Sequence, residues 1–267
     1  EPDDTMTYYQ CNMSQESAEM AAIFTGVQPD VILHCAGSAN VGASVVNPMA
    51  DLDGNLHSLY QLLLALKSFE KRPEIIFFSS AGVYGNPRQL PVRESDVAAP
   101  MSPYGLHKHM GEELCEYYNR IHGYHIRSIR IFSAYGNGLR KQLLWDIYQK
   151  YQNTGRIELF GTGEETRDFI HVSDIMRAID LILSYDGTET VINVANGEEV
   201  SIRELAEIYA EKLGAPQNIV SFNGAVKEGD PRNWRADISL LRKLGYEKQM
   251  ELSDGIAAYV DWAKAQD

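Results

Sequence analysis

Apolar residues come in two rhythms along this chain. Consecutive apolar positions at 31–35 and 75–78 read as short strands covered on both faces, and 124–132 reads as an alternating strand. Further strand patterns stand at 157–160 and 191–195, and Thr7 to Gln10 are β-like. Between them the spacing is helical, at 15–24, 48–70, from 103 onward, 140–153, after Ser201, 237–243 and 253–264. The segment 48–70 repeats Leu52, Leu56, Leu59, Leu63 and Leu66, and adds Tyr60, Leu62 and Leu64 outside that stripe, so more than one of its faces is covered. Gly54 costs that helix roughly 1 kcal/mol relative to Ala. Ser201 with Glu204 three residues on forms a capping box. Strands alternating with helices, with no repeat and no Pro/Gly-rich linker, define an α/β chain built on a doubly wound parallel sheet.

The chemistry concentrates between Phe77 and Lys108. The strand through Phe77 and Phe78 ends in two hydroxyls, Ser79 and Ser80. Ser102 then reads as an N-cap and Pro103 as the first helical residue. Tyr104 and Lys108 are four apart and share a helix face, while Leu106, Met110, Leu114, Tyr117 and Ile121 form a separate apolar stripe expected to bury the helix. That leaves Tyr104 and Lys108 facing the strand end that carries Ser80. A phenol titrates near ~10 and needs about three units of lowering, roughly 4 kcal/mol, to act as a base at neutral pH. A nearby ammonium and a cationic cofactor ring could supply it in a water-poor cleft. A Tyr-x-x-x-Lys pair alone most often marks an ordinary amphipathic helix; the strand and serine upstream argue for the chemical reading.

Charge and cysteines narrow the class. A formal net charge of −13 over 267 residues argues against nonspecific binding to nucleic acid or anionic membrane. The composition, 44% hydrophobic and 23% charged, is that of a soluble globular protein. Cys11, Cys35 and Cys115 are odd in number and lack metal-site spacing, which suits a reducing compartment, and no eighteen-residue apolar run appears. The expected location is cytoplasmic and no metal is expected.

Ser79-Ser80-Ala81-Gly82-Val83-Tyr84-Gly85 followed by Ser102-Pro103-Tyr104-Gly105-Leu106-His107-Lys108 resembles the extended short-chain dehydrogenase/reductase family. Within it, the pattern is most like the NAD-dependent nucleotide-sugar epimerases and dehydratases of the UDP-galactose 4-epimerase group. The resemblance implies Ser80, Tyr104 and Lys108 as catalytic residues, with Tyr104 and Lys108 also touching the cofactor and Ser80 the substrate. It implies cofactor contacts from Asn12, Met13, Cys35, Ala36, Gly37, Ser38, Asn55, Phe78, Ser79 and Phe132. Asn12 departs from the family's Asp, and a polar residue on a solvated helix face is the plain alternative for Asn55. Substrate contacts are implied for Ser133 (where the family has Asn), Phe160, Arg167, Lys227 and Asp230, and a surface loop is the plain alternative for Arg232. Asp168 and His171 are read as structural, against the rival of His171 as catalyst.

By the same resemblance, residues 1–132 with 166–195 form the dinucleotide-binding domain, and 133–165 with 196–267 a smaller interleaved α/β substrate lobe. No glycine-rich turn after a first strand occurs in this sequence. The expectation is that the natural protein extends upstream of Glu1 by at least one strand–turn–helix–strand unit carrying it. NAD is the expected cofactor, with NADP left open, and a nucleotide-diphosphate sugar the expected partner. The helices at 48–70 and from 103 are expected to form a homodimer. Ala81 and Gly82 stand where a dehydratase carries acidic residues, so epimerisation through a keto-sugar comes first. Keto-sugar nucleotide reduction and a non-catalytic nucleotide-sugar-binding protein are the alternatives.

Overall fold

The computed structural model describes residues 6–15, 17–67, 69, 71–225, 229 and 231–266. The strands are β1 (Val31–His34), β2 (Glu74–Ser80), β3 (His125–Ile131), β4 (Ser133–Tyr135), β5 (Ile157–Leu159), β6 (Thr166–Arg167), β7 (Phe169–His171), β8 (Val191–Val194), β9 (Val200–Ser201) and β10 (Val220–Phe222). The helices are α1 (Ser17–Val27), α2 (Val41–Val46), α3 (Pro48–Leu52), α4 (Ser58–Ala65), α5 (Pro103–His122), α6 (Gln142–Thr154), α7 (Val172–Leu183), α8 (Ile202–Leu213), α9 (Ser239–Lys243) and α10 (Leu252–Lys264).

Four strands make the central sheet in the order β1-β2-β3-β8, all parallel. Successive residues of β2 point to opposite faces, so the run 75–78 supplies two cores at once. Ile75 and Phe77 pack with Leu59, Leu62, Leu63 and Cys115 on the side of α4 and α5. Ile76 packs with Ile175, Ile179 and Leu241 on the side of α7 and α9. Helices on both faces make the sheet doubly wound. The edge strand β1 departs from expectation: Val31 and Leu33 are 40% and 37% exposed, while His34 on its other face is 1% exposed. Only the face toward α4 is covered among the described residues. Thr7 to Gln10 form no strand and are exposed, because a β-like pattern needs a neighbour to hydrogen-bond.

A third apolar cluster joins α6, α8 and α10 around Tyr148, Tyr209 and Tyr259, over the small β5–β10 pair. Ala236, Ile238, Leu241 and Tyr246 pack instead into the core of the central sheet, so the chain returns to the first lobe between 236 and 246. Among the described residues no helix is long and apolar enough to cross a membrane.

Two helices differ from the pattern in instructive ways. The segment 48–70 is broken into α3, a π turn at Asp53–His57 and α4, with Gly54 and Asn55 in the wide turn. In α5 the capping is as the residues dictate: Ser102 Oγ accepts from Gly105 N at 3.2 Å, Pro103 is the first residue, and Gly123 closes the helix at φ 63°. Its buried face is the other one, however. Leu106, Met110, Tyr117 and Ile121 are exposed, and Tyr104, His107, Lys108, Gly111, Glu112, Cys115 and Tyr118 are buried. Glycine selects that face. A Cβ on Gly105 would lie 2.4 Å from the Gly82 carbonyl oxygen, and one on Gly111 would lie 2.6 Å from the Phe77 ring.

Candidate active site

The sheet delivers its functional groups at the carboxyl ends of β1, β2 and β3, where open α/β sheets bind ligands. Ser80, the last residue of β2, caps a 3₁₀ turn (Ala81–Tyr84) by accepting from Gly82 N at 3.1 Å. The first turn of α5 presses against that turn through Gly105, which brings Tyr104 beside Ser80. The Ser80 hydroxyl is near enough to favour the ionised phenol. Gly82 gives this contact room: a Cβ there would sit 3.3 Å from Ser80 Oγ and 3.6 Å from the Tyr104 ring. The backbone N–H of Tyr104 donates to Ser44 Oγ at 3.2 Å, which ties α2 to the start of α5.

Tyr104 is 8% and Lys108 4% exposed. Burial, joined by the charge of Asp51, raises the Tyr104 phenol above its usual range, and the Ser80 hydrogen bond opposes it. Burial lowers the Lys108 ammonium to about 8, against the pull of Asp51, Cys35, Cys115 and Glu112. Lys108 Nζ lies 5.0 Å from the Phe77 ring centroid and 6.0 Å from that of Tyr104. Lys108 is not among the groups that move the phenol in the chain alone, so the expected lowering falls to the cofactor's positive charge.

Gly37 and Asn55 meet Lys108 from the other side. A Cβ on Gly37, at φ 133°, would come within 2.3 Å of Asn55 Oδ1 and 3.4 Å of Lys108 Nζ. Asn55 is fully buried rather than solvated, because the π turn swings it inward; its Nδ2 donates to the Asp51 carbonyl at 3.1 Å, and its Oδ1 has no partner. An orphaned buried amide oxygen, a glycine cradle and a buried ammonium fit a polar ligand carrying hydroxyls and an amide. Cys35 is exposed, Ala36 half-buried, and Ser38 Oγ donates to Asp51 Oδ1 at 2.9 Å.

The remaining candidates divide. Phe78 is half-buried against the α7-side core. Ser79 points away from Ser80, donating to Glu112 Oε1 at 2.5 Å, and Glu112 is bound in turn by Arg130 Nη2 at 2.7 Å. That hydroxyl is committed to packing α5 on the sheet. Phe132 stacks edge-on to Trp234 at 6.0 Å, and the Arg167 guanidinium lies 5.4 Å above the same indole. Arg167 also donates to the carbonyls of Thr166 and Arg232. Ser133 is half-buried and Phe160 is 54% exposed, 5.7 Å from Lys150 Nζ. Asn12 is exposed and accepts from Ser14 N and Oγ, and Met13 is half-buried. Lys227 and Asp230 lie outside the described residues; Gly229 between them approaches Val41 and Ser102.

Asp168 and His171 are placed structurally. The Asp168 carboxylate accepts backbone N–H groups of Asn196, Gly197 and Ala236, and His171 caps α7 through Ser173 N. Three groups carried no recognised sequence signal: Asp51, His107 and Trp234. His107 was visible only as a spacer between Tyr104 and Lys108. Asp51 read as one more polar position of a long helix.

A parallel doubly wound sheet with Ser, Tyr and Lys at its carboxyl edge defines a short-chain dehydrogenase/reductase. The NAD dependent epimerase/dehydratase family model matches residues 1–195, and the chain belongs to that family. A protein of Methanocaldococcus jannaschii, provisionally named a UDP-glucose 4-epimerase, is 32% identical over 88% of this chain and 77% of its own length. The UDP-glucuronate 4-epimerase of Thermodesulfobacterium geofontis is 28% identical over 98% of this chain and 80% of its own. Among solved structures, the Bacillus cereus UDP-glucuronic acid 4-epimerase, in complex with UDP-glucuronic acid and NAD, superposes with a TM-score of 0.85 at 28% identity, covering 93% of this chain and 79% of that one.

Proposed function

We propose that this chain is an NAD-dependent 4-epimerase of a nucleotide-diphosphate sugar, working through a transient 4-keto-sugar. The observation that carries the reading is the convergence of Ser80, Tyr104 and Lys108 at one sheet edge, opposite Gly37 and Asn55. Gly37, Asn55, Tyr104 and Lys108 would hold the nicotinamide half of the cofactor, with Phe132 and the loop after β1 beside it. When bound, NAD supplies a positive charge and a reversible hydride acceptor for the sugar C4.

The chain's own part is proton handling and placement. Ser80 Oγ bonds the C4 oxygen, and Tyr104, ionised once the cofactor's positive charge stands beside it, would take the hydroxyl proton onto its phenolic oxygen. The Lys108 ammonium would offset the phenolate's charge before that proton arrives, in a site from which water is largely excluded. The keto-sugar then turns, and Tyr104 returns the proton to the C4 oxygen; hydride given back to the opposite face of C4 would invert that centre. Ala81 and Gly82 beside Ser80 bring no carboxylate for elimination of water, which supports epimerisation over dehydration.

Arg167, seated on Trp234, would bind the diphosphate, with Phe160 exposed toward the nucleotide base. The protein would act in the cytoplasm as a homodimer, because Tyr60, Leu64, Leu106, Met110, Tyr117 and Ile121 leave α4 and α5 with exposed apolar surface. Incubation with NAD and either UDP-glucose or UDP-glucuronate, followed by chromatography of the sugar nucleotides, tests the reading. Formation of the C4 epimer is expected; no epimer from either would overturn it.

A further inference from the structure

Asp51 takes no part in the proton transfer, yet it is one of the most deeply buried charges in the protein, at 3% exposure. A buried carboxylate is costly and persists where its oxygens are bonded. Oδ1 accepts the Ser38 hydroxyl at 2.9 Å, and Oδ2 lies 2.7 Å from Nδ1 of His107, itself 7% exposed. The backbone carbonyl of Asp51 accepts the Asn55 amide at 3.1 Å. These three partners belong to three separate pieces of the site. Ser38 follows Gly37 in the loop after β1, Asn55 sits in the π turn, and His107 lies on α5 between Tyr104 and Lys108. Restraining residue 107 fixes the rotation of the helical turn that carries both.

We propose that Asp51 and His107 are positioning residues: the pair clamps the loop bearing Gly37 and Ser38, and the π turn bearing Asn55, onto the turn of α5 that bears Tyr104 and Lys108. The clamp holds the groups around the nicotinamide pocket in register with the base. Its bearing on turnover rests on the epimerase reading. Its bearing on the pocket does not. The carboxylate is also the leading opposite charge felt by Lys108, ahead of Cys35, Cys115 and Glu112, and it acts on Tyr104 as well. One residue therefore sets both the spacing and the charge balance of the pair.

The test uses the whole chain and two variants. Asp51→Asn keeps an acceptor for Ser38 but removes the charge; His107→Ala opens the link to α5 and leaves the carboxylate in place. NAD affinity is measured by calorimetry, kcat and KM with UDP-glucose, and the pH midpoint of Lys108 acetylation by mass spectrometry. Both variants should lower kcat by up to about 100-fold with KM little changed, and both should weaken NAD binding. In Asp51→Asn the Lys108 midpoint, about 8 in the natural chain, should fall by roughly 1 unit. A pair that serves packing alone would lower the melting temperature and leave kcat, NAD affinity and the Lys108 midpoint of the folded protein unchanged. That result overturns the proposal. If the natural chain turned over no nucleotide sugar, the epimerase reading would fall, while NAD affinity and the Lys108 midpoint would still decide the clamp. Should Asp51→Asn not fold, His107→Ala decides through kcat and NAD affinity.

Discussion

Tyr104 keeps its proton in the chain alone, since burial and Asp51 both hold the phenol up and only the Ser80 hydrogen bond opposes them. In the proposed reaction the phenolic oxygen takes the sugar proton. Tyr104→Phe should therefore cut epimerisation by about two to four orders of magnitude, with sugar-nucleotide binding and melting temperature near those of the natural chain. A variant retaining near-full turnover would refute the assignment. Lys108 carries a cost that pH can reveal. Its folded-state value is about 8 against 10.5 when solvated, so the buried ammonium opposes folding at neutral pH. As pH rises through about 8 the folded chain sheds that proton while the unfolded chain keeps it. The relief is complete once the unfolded lysine also titrates, and is lost again as pH falls. Compared with Lys108→Met, the natural chain should gain roughly 3 kcal/mol between pH 7 and 10.5. Urea titrations of both proteins at several pH values check this; a constant difference would count against a buried charged lysine.

At the scale of elements, α5 is decided on both sides. Gly105 and Gly111 let its inner face lie against the 3₁₀ turn and the Phe77 ring, closer than any Cβ permits. Its outer face keeps Leu106, Met110, Tyr117 and Ile121 exposed, between 41% and 51% each. Apolar side chains at helical spacing on an outer face suit a second copy of the same helix. If the natural chain pairs through this face, it should run as a dimer and Met110→Glu combined with Tyr117→Lys as a folded monomer, read by light scattering after gel filtration. A natural chain already monomeric at micromolar concentration would rule the dimer out.

For the whole molecule, the two sides of the proposed cleft are joined through aromatic stacking. Phe132 at the end of β3 meets Trp234, and Trp234 carries Arg167. The indole N–H donates to the Gly85 carbonyl at 3.0 Å, anchoring this bridge to the segment just beyond Tyr84. Arg167 would thus meet the diphosphate without touching the dinucleotide pocket. Arg167→Ala should weaken UDP binding by roughly 1.5–3 kcal/mol and leave NAD affinity unchanged, both by calorimetry. Unchanged UDP binding would place the diphosphate elsewhere.

Local chemistry determined what needs only neighbours in sequence. The cap at Ser102 and Pro103, the αL glycine after His122, the two-faced run 75–78 and the four-residue spacing of Tyr104 and Lys108 all stand as the residues dictate. What depends on distant chain segments was decided by the fold. Which face of α5 is buried turned on where Phe77 and the Gly82 carbonyl lie, so the larger apolar stripe lost to a face with two glycines. Asn55 became buried because a π turn interrupts the helix at Asp53–His57, a change of pitch that leucine spacing does not show. The phenol of Tyr104 stands above its usual range because desolvation, a property of packing, exceeds the pull of the Ser80 hydroxyl. Asp51 and His107 are 56 residues apart, and only tertiary contact makes them a pair.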